Sequence, residues 1–251
     1  MRVVATYSIK GGVGKTSAAV NLGALAAREG YRTLIWDLDP QGAASFLLRV
    51  KPKVKGGGRK LVRGRRDPLS VMKGTDFEGL DLLPADLSYR HLDLMLDQSK
   101  RPQRGLGRVL RSLADEYDVG ILDCAPSISL VSESVFDAAD LLLVPLIPST
   151  LSVRTLDQLR RFLAREERPS PAVLPFFSMV DRRKRLHREL VESVQGVGDA
   201  IVPSASIIEL MGPRREPVVV SHPRSPAAQA YQALWGEVRG ELNGARKFTP
   251  A

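Results

Sequence analysis

The sequence predicts an α/β fold with three layers, in which helices cover both faces of a mostly parallel, twisted sheet. Short apolar runs recur along the chain, and segments with apolar residues at helical spacing separate them. The apolar runs are nearly continuous rather than alternating, which is typical of strands that are buried on both faces. Strands that alternate with helices are joined by right-handed crossovers, so we expect neighbouring strands to run parallel.

The predicted elements follow one another in a regular order. Residues 2–7 form the first strand and residues 15–29 the first helix, which Gly30 ends. A second strand is predicted at residues 33–37. Four further runs have the same character: residues 80–83, 119–123, 141–146 and 173–179. Helical patterns fill the intervals. We expect one domain over residues 1–251, because a single α/β domain of this length buries a sizeable core.

The composition excludes several classes of protein. Apolar residues make up 43% of the chain, yet no stretch approaches the roughly 20 unbroken apolar residues that span a bilayer. The first residues lead directly into a strand and carry no export leader, so we expect a cytoplasmic protein. Cys124 is the only cysteine, which excludes an internal disulfide, a paired-cysteine zinc site and a four-cysteine iron–sulfur cluster within one chain. We expect Cys124 to pack in the core.

The net charge of +9 resides in one stretch of the chain, residues 49–67, which we call the basic segment. Nine basic side chains occur there with no acidic residue between them: Arg49, Lys51, Lys53, Lys55, Arg59, Lys60, Arg63, Arg65 and Arg66. Without these nine side chains, the formal charges of the chain sum to zero. The segment contains three consecutive glycines, one proline before them and no apolar period, so we predict a mobile loop.

A glycine-rich loop lies where the first strand passes into the first helix. Backbone N–H groups of small residues can converge there on phosphate oxygens, with a lysine beside them and a hydroxyl for magnesium. The dipole of the following helix adds to the attraction. The usual pattern begins with a glycine where this chain has Ile9, and a second lysine follows that position. The residues concerned are Lys10, Gly11, Gly12, Val13, Gly14, Lys15, Thr16 and Ser17. They predict the P-loop NTPase fold and an ATPase.

Carboxylates end two of the predicted strands. Asp37 and Asp39 stand at the carboxyl end of the second strand, where ligands bind in open α/β sheets. Asp123 ends the strand at residues 119–123, which is how a carboxylate is carried toward phosphate-bound magnesium. An aspartate at a strand end is more often a turn or cap residue, so the prediction depends on all three motifs occurring in order.

With these motifs the sequence resembles the ParA/MinD ATPases, whose deviant Walker A, A′ and B motifs match residues 10–16, 37–42 and Asp123. Five further segments resemble ParA landmarks in the right order: residues 82–86, 138–141, 179–183, 201–203 and 225–231. The resemblance covers nearly the whole chain except the basic segment. Residues 37–42 are similar to ParA rather than to MinD, and residues 123–126 depart from the family's usual Asp-Thr-Pro-Pro.

The resemblance implies an ATP- and Mg²⁺-dependent homodimer in which Lys10 reaches the phosphates of the partner subunit, and hydrolysis separates the halves. It also implies a role for each site residue. Lys15 holds the β- and γ-phosphates and Asp39 orients or activates the attacking water. Thr16 ligates Mg²⁺, which Asp37 and Asp123 support. The adenine pocket is expected at Met179, Asp181 and Pro203.

The family also implies non-specific DNA binding, which needs only phosphate-neutralising Lys and Arg side chains. Two candidate patches are present. One is the basic segment, with Lys51, Lys53, Lys55, Arg59, Lys60, Arg63, Arg65 and Arg66. The other consists of Arg182, Arg183, Lys184, Arg185 and Arg188, at the start of a predicted helix. Uncompensated charges repel one another and favour an anionic partner. We expect a ParA-like, nucleoid-associated positioning ATPase that a ParB-like or cargo-adaptor protein stimulates.

Three alternatives were weighed against this interpretation. An anionic membrane surface also attracts polybasic segments, but the tail at residues 243–250 is broken by Gly244 and Pro250 and offers only Phe248 for insertion. A metabolic ligase, amide-forming or of the biotin pathway, would share the fold and the first loop but need a small-substrate pocket. A reductase like the nitrogenase iron protein is excluded by the single cysteine. The cargo, whether chromosome, plasmid or protein assembly, is not readable from the sequence.

Overall fold

The apolar runs form the centre of one eight-stranded sheet in the computed structural model, which describes residues 1–98, 102–165 and 170–245. The sheet order is β3-β4-β2-β5-β1-β6-β7-β8, and every pairing is parallel except that of β3 with β4. The strands are β1 (Arg2–Thr6), β2 (Thr33–Asp37), β3 (Lys73–Gly74), β4 (Leu80–Leu83), β5 (Val119–Asp123), β6 (Leu141–Leu146), β7 (Ala172–Val180) and β8 (Ile201–Pro203).

Helices connect the strands and cover the sheet. They are α1 (Lys15–Arg28), α2 (Ala43–Leu47), α3 (Gly58–Val62), α4 (Leu92–Asp97), α5 (Gly105–Arg111), α6 (Leu130–Ala138), α7 (Thr150–Arg165), α8 (Arg185–Ser193), α9 (Ser206–Glu209), α10 (Met211–Arg214), α11 (Val218–Ser221) and α12 (Pro226–Ala245). Short 3₁₀ turns occur at Leu69–Val71, Leu87–His91 and Pro102–Arg104. No helix among the described residues is long and apolar enough to cross a membrane.

Successive residues of the central strands enter two separate apolar clusters. In β2, Leu34 and Trp36 belong to one cluster and Ile35 to the other, and all three are fully buried. The cluster of Ile35 includes Trp235 of α12, and the cluster of Leu34 and Trp36 includes Tyr89, whose hydroxyl accepts a hydrogen bond from Trp36 Nε1 at 3.2 Å. Because side chains alternate along a strand, the sheet is buried on both faces. The predicted three-layer α/β fold is confirmed.

The prediction for the basic segment was wrong in one respect. Residues 58–62 form helix α3, and Val54, Leu61 and Val62 are buried in the same cluster as Trp36. Three apolar residues over nine positions are too few to show a helical period in the sequence, yet they are enough to fasten the segment. Two elements were not predicted at all: β3, with two residues, and β8, with three.

Candidate nucleotide and metal site

Three polar side chains lie side by side where the central strands end. In the parallel ladders, Thr6 of β1 and Asp37 of β2 are both register partners of Asp123 of β5, and all three residues are fully buried. The carboxyl ends of parallel strands meet at one edge of a sheet. The two predicted carboxylate motifs therefore come together beside the loop that follows β1.

The loop between β1 and α1 has the backbone of a phosphate cradle. Gly12 and Gly14 have φ angles of 68° and 96°, in the left-handed region that favours glycine. A Cβ atom at Gly14 would lie 2.7 Å from Ser178 Oγ, so a larger residue would be both strained and obstructed. Helix α1 begins at Lys15, and the N–H groups of its first turn supply the positive end of the helix dipole.

Lys15 is the buried cation of this loop. Its Nζ donates a hydrogen bond to the carbonyl oxygen of Lys10 at 2.9 Å, and the residue is 7% exposed. Burial lowers the pKa of Lys15, while the Asp123 carboxylate acts in the opposite direction. An ammonium group with little hydration is stabilised by an incoming anion, so the position favours phosphate.

Asp123 and Asp37 are held by donors from different elements. Thr16 Oγ1 donates to Asp123 Oδ2 at 2.8 Å, and Thr6 Oγ1 lies 3.4 Å from Asp123 Oδ1. Asp37 Oδ2 accepts two hydrogen bonds from Ser45, at 2.8 Å from the backbone N–H and at 2.7 Å from the hydroxyl. Asp37 Oδ1 is buried and has no hydrogen-bond partner among the described residues.

The negative charges of the two aspartates are only partly compensated by their surroundings. Burial raises the pKa of Asp37 to about 6 against the lowering effect of the Ser45 hydrogen bonds. Burial also raises the pKa of Asp123, and the nearby Asp37 carboxylate adds to this. A cation between them would relieve both effects and give the partnerless Asp37 Oδ1 a ligand.

The donor set fits Mg²⁺ when an anion occupies the phosphate cradle. Among the described residues, no three His, Cys, Asp or Glu side chains form a cage for a metal. Mg²⁺ usually keeps several waters and is held by one or two carboxylates together with substrate phosphates. The Thr16 hydroxyl with the carboxylates of Asp37 and Asp123 provides that kind of incomplete shell.

A cavity of about 360 Å³ opens next to the phosphate cradle. Residues 11–17 form one wall, and Met179 and Pro203, which are predicted to contact adenine, lie on another. Met179 has a φ angle of 56°, which is uncommon for a residue other than glycine, and it is 40% exposed. Backbone outliers of this kind cluster at ligand sites. Asp181 lies outside the lining; it accepts hydrogen bonds from the Arg183 guanidinium, which lower its pKa to about 2.

Sequence reasoning missed several residues of this cavity. Pro126, Ser178, Val202, Ser204, Ala205, Ile208, Glu209 and Tyr231 also line it. Ser204 and Ala205 directly follow Pro203, so extending that segment would have found them. Nothing in the sequence places Ser178 beside Gly14, because their contact depends on how the end of β7 lies against the loop after β1.

Comparison with known proteins identifies the family. A family model described as an AAA domain matches residues 1–169. The chromosome partitioning protein ParA of Myxococcus xanthus is 31% identical over 94% of this chain and 87% of that protein. The sporulation initiation inhibitor protein Soj of Bacillus subtilis is 28% identical over 94% of this chain and 98% of that protein.

The chain belongs to the ParA/MinD family of P-loop ATPases. A solved structure, cobyrinic acid a,c-diamide synthase from Mycobacterium smegmatis with a bound ATP analogue and magnesium, matches with a TM-score of 0.80 at 27% identity. That match covers 100% of this chain and 99% of the other. The expected fold and family are thereby confirmed, and the structural neighbours show that the family is broader than DNA partitioning.

Of the remaining predicted residues of this ATPase, Asp39 lies at the cavity and Lys10 directly precedes the glycines of the phosphate cradle. Asp39 lines the cavity, and its Oδ1 accepts a hydrogen bond from the backbone N–H of Gln41 at 2.9 Å, which fixes the turn after β2. Lys10 is half-buried, and among the described residues its ammonium group makes no hydrogen bond or ion pair. Cys124 is buried in the apolar cluster of Trp36, as expected.

The two basic patches of the ATPase differ in how far their charges are compensated. In the patch at α8, Arg183 pairs with Asp181 and Arg185 pairs with Glu189. In the basic segment, Arg49 pairs with Asp76 at 3.2 Å. The described part of the chain offers no ion pair to residues 51–66.

Proposed function

We propose that the protein is a ParA-like positioning ATPase that uses ATP and Mg²⁺ to form a dimer and binds DNA without sequence preference. The observation that carries the nucleotide part is the buried, partnerless Asp37 Oδ1 beside the Thr16–Asp123 hydrogen bond. A buried carboxylate oxygen without a donor is costly, and a hydrated Mg²⁺ held by a nucleotide would satisfy it. The Mycobacterium smegmatis structure supports this choice of ligands, because it contains an ATP analogue and magnesium.

Different residues of the chain would have different roles in hydrolysis. The loop N–H groups and Lys15 would hold the phosphates, and Thr16, Asp37 and Asp123 would hold Mg²⁺, which neutralises charge on the transferred phosphoryl group. Asp39 lies at the cavity, and its Oδ2, which accepts no hydrogen bond from the described residues, would orient a water molecule. Lys10, whose ammonium group has no partner within the described chain, would contribute to the phosphates of a second subunit.

The basic segment supports DNA as the partner more strongly than the α8 patch does. Lys51, Lys53, Lys55, Arg59, Lys60 and Arg65 are exposed. Arg63 is half-buried, and partial burial together with the neighbouring charges of Arg59 and Arg65 lowers its pKa. Phosphate groups would relieve that repulsion.

Helix α5 extends this positive surface. Arg108 and Arg111 of α5 and Arg104 directly before it are exposed and stand three to four positions apart, so they lie on one side of the helix. A Cβ atom placed on Gly64 would lie 3.6 Å from Arg108 Cδ, which brings the end of the basic segment against α5. We call Arg59, Lys60, Arg63, Arg65, Arg104, Arg108 and Arg111 the α3–α5 basic surface.

A pair of matched variants tests the DNA interface. Arg59→Gln, Lys60→Gln, Arg63→Gln and Arg108→Gln are combined in one protein, and Arg182→Gln, Arg183→Gln, Lys184→Gln and Arg188→Gln in the other. Affinity for two unrelated DNA duplexes is measured with ATP and Mg²⁺ over a range of salt. Each phosphate contact contributes about 0.9 to the slope of log K against log salt. The first variant should lose up to about 3.6 of that slope, and the second should lose little.

Several outcomes would contradict this assignment. An unchanged slope in the first variant, with a loss in the second, would move the DNA interface to α8. Binding to anionic phosphatidylserine vesicles without binding to DNA would favour a MinD-like membrane role, which could use the exposed leucines Leu87 and Leu94 of the neighbouring elements. If the wild-type protein retards neither DNA nor vesicles in any nucleotide state, the partner is of another class.

A small-molecule synthase is the second candidate function. A further cavity of about 510 Å³ lies between α6 and α7, with Ile9, Phe136 and Phe162 in its lining and Arg161 and Arg165 among its charged residues. This cavity and the similarity to cobyrinic acid a,c-diamide synthase favour the alternative. A nucleotide-dependent gel shift with DNA distinguishes the positioning ATPase from the synthase, because a synthase that acts on small molecules is not expected to bind DNA.

Partner stimulation and nucleoid association complete the proposal. The similarity to ParA of Myxococcus xanthus and to Soj supports a ParB-like or cargo-adaptor protein as the activator. Hydrolysis that is slow alone and accelerated by such a partner together with DNA is the expected behaviour.

A further inference from the structure

Ser45 occupies a fully buried position between the nucleotide site and the basic segment. Its backbone N–H and its hydroxyl both donate to Asp37 Oδ2, and its Oγ accepts a hydrogen bond from the backbone N–H of Ala85 at 3.0 Å. An amide N–H can only donate, so the hydroxyl accepts at Ala85 and has its single proton for Asp37. Ser45 therefore joins the Asp37 carboxylate to the chain after β4.

The next residue after Ala85 holds the basic segment. Asp86 Oδ2 accepts a hydrogen bond from Val54 N–H at 2.8 Å, and Asp86 Oδ1 accepts one from Ser88 N–H at 2.9 Å. Ser88 Oγ in turn accepts a hydrogen bond from Gly58 N–H at 3.0 Å, at the start of α3. Burial acts to raise the pKa of Asp86, but its hydrogen bonds outweigh this and lower it.

Direct packing reinforces the same connection. A Cβ atom on Gly42, in the turn that carries Asp39, would lie 2.9 Å from Pro52 Cβ and 3.4 Å from Ala85 Cβ. The turn after β2, the basic segment and the chain after β4 therefore meet without space between them. A close-packed junction of this kind transmits a shift of one element to the others.

We propose that Ser45 is a positioning residue for the Asp37 carboxylate and that, through Ala85 and Asp86, it couples metal and nucleotide binding to the position of the basic segment. The inference rests on the proposed function, because it requires a nucleotide and Mg²⁺ at the site. Both protons that Ser45 donates go to Asp37 Oδ2, which leaves Oδ1 as the oxygen directed to the metal. Three hydrogen bonds connect the site with the basic segment: Ser45 donates to Asp37, Ala85 N–H donates to Ser45, and Val54 N–H donates to Asp86.

Ser134 provides a matched control. It is also fully buried, and its Oγ accepts a backbone hydrogen bond, from Leu106 N–H at 3.1 Å. Within the described part of the chain, its hydroxyl makes no hydrogen bond to a carboxylate. Ser134→Ala therefore removes a buried serine that accepts a backbone hydrogen bond, but it leaves the hydrogen bonds between Asp37, Ser45 and Ala85 intact.

The positioning role is tested by the Mg²⁺ dependence of binding of a non-hydrolysable ATP analogue. Loss of a residue that orients a metal ligand typically costs 10–100-fold in metal affinity, so Ser45→Ala should need about 10–100-fold more Mg²⁺ for half-maximal binding. Ser45→Thr, which keeps the hydroxyl, should restore most of this. Ser134→Ala should lower Tm but leave the Mg²⁺ dependence unchanged. A wild-type Mg²⁺ dependence in Ser45→Ala would overturn the role.

The coupling is tested by limited trypsin digestion, which needs no DNA. Trypsin cleaves after Lys and Arg, and mass spectrometry follows the cuts between residues 51 and 66. The ATP analogue with Mg²⁺ should slow these cuts in the wild type and in Ser134→Ala. At Mg²⁺ concentrations that saturate Ser45→Ala, the cuts in that variant should proceed at the rate seen without nucleotide.

The possible results distinguish failure of the coupling from failure of the proposed nucleotide-dependent function. A wild-type protein that binds no nucleotide overturns both. If nucleotide binds but the cuts proceed unchanged in the wild type, only the coupling falls. Equal protection of saturated Ser45→Ala and wild type would also overturn the coupling, because dimerisation alone would then shield the segment.

Discussion

The raised pKa of Asp37 makes the stability of the nucleotide-free protein depend on pH in a predictable direction. The pKa rises from 3.8 to about 6 because the carboxylate is fully buried. The folded state then holds the Asp37 proton more tightly than the unfolded state does. The resulting stability is complete below pH 4 and is lost as the pH rises through about 6.

The size of the effect follows from the shift. At 1.36 kcal/mol per pKa unit, ionised Asp37 costs the folded state about 3 kcal/mol at pH 8, and about half of that already at pH 5. Asp37→Asn removes the charge while its side-chain oxygen can still accept both Ser45 hydrogen bonds. The stability of Asp37→Asn relative to the wild type should therefore increase by roughly 1–2 kcal/mol between pH 5 and pH 8.

Urea unfolding in EDTA at the two pH values measures this difference. Asp97→Asn, which changes an exposed carboxylate on α4, is the matched control and should show no such trend. Excess ATP and Mg²⁺ at pH 8 should stabilise the wild type and not Asp37→Asn, because ligands that bind only the folded state stabilise it. If the stability difference between Asp37→Asn and wild type stays constant from pH 5 to pH 8, the pKa of Asp37 is not raised in the folded protein and the reasoning is refuted.

Three further predictions address dimerisation, hydrolysis and the basic segment. Lys10→Ala should abolish ATP-dependent dimerisation, measured by size-exclusion chromatography with light scattering, and an unchanged dimer would exclude a role across the interface. Asp39→Ala should slow phosphate release in a coupled assay while the ATP-bound dimer persists, and undiminished turnover would remove Asp39 from the mechanism. Leu61→Ala should lower the free energy of unfolding by about 2–5 kcal/mol, because Leu61 is fully buried; Leu94→Ala, at a leucine that is 63% exposed, should change it by less than about 0.5 kcal/mol. Equal effects of the two leucine substitutions would mean that α3 is not fastened to the core.

The sequence predicted the parts of the site that depend on local order along the chain. Strands β2 and β5 are continuous apolar runs that end in Asp37 and Asp123, so parallel pairing alone was sufficient to place those carboxylates at one edge. The glycines of the phosphate cradle were recognisable for the same reason, because the positive φ angles of Gly12 and Gly14 belong to one local loop.

Contacts between distant segments could not be predicted in this way. The approach of Ser178 to Gly14 depends on the register of β7, and the hydrogen bond from Val54 N–H to Asp86 depends on how the basic segment folds back across the end of β4. Helix α3 was missed because its apolar side consists of only two adjacent residues, Leu61 and Val62. Tertiary packing, rather than periodicity, keeps such a short helix in place.

The folded form of the basic segment changes what its charges can do. A flexible basic segment would bind DNA phosphates in any geometry and in any nucleotide state. Here Leu61 and Val62 anchor the segment to the core, and Asp86 and Ser88 hold its backbone at Val54 and Gly58. Its charges therefore have a defined position relative to Asp37. Under the proposal that Asp37 supports Mg²⁺, a surface whose position is fixed by the junction at Asp37 can be regulated by hydrolysis, and a detached loop cannot.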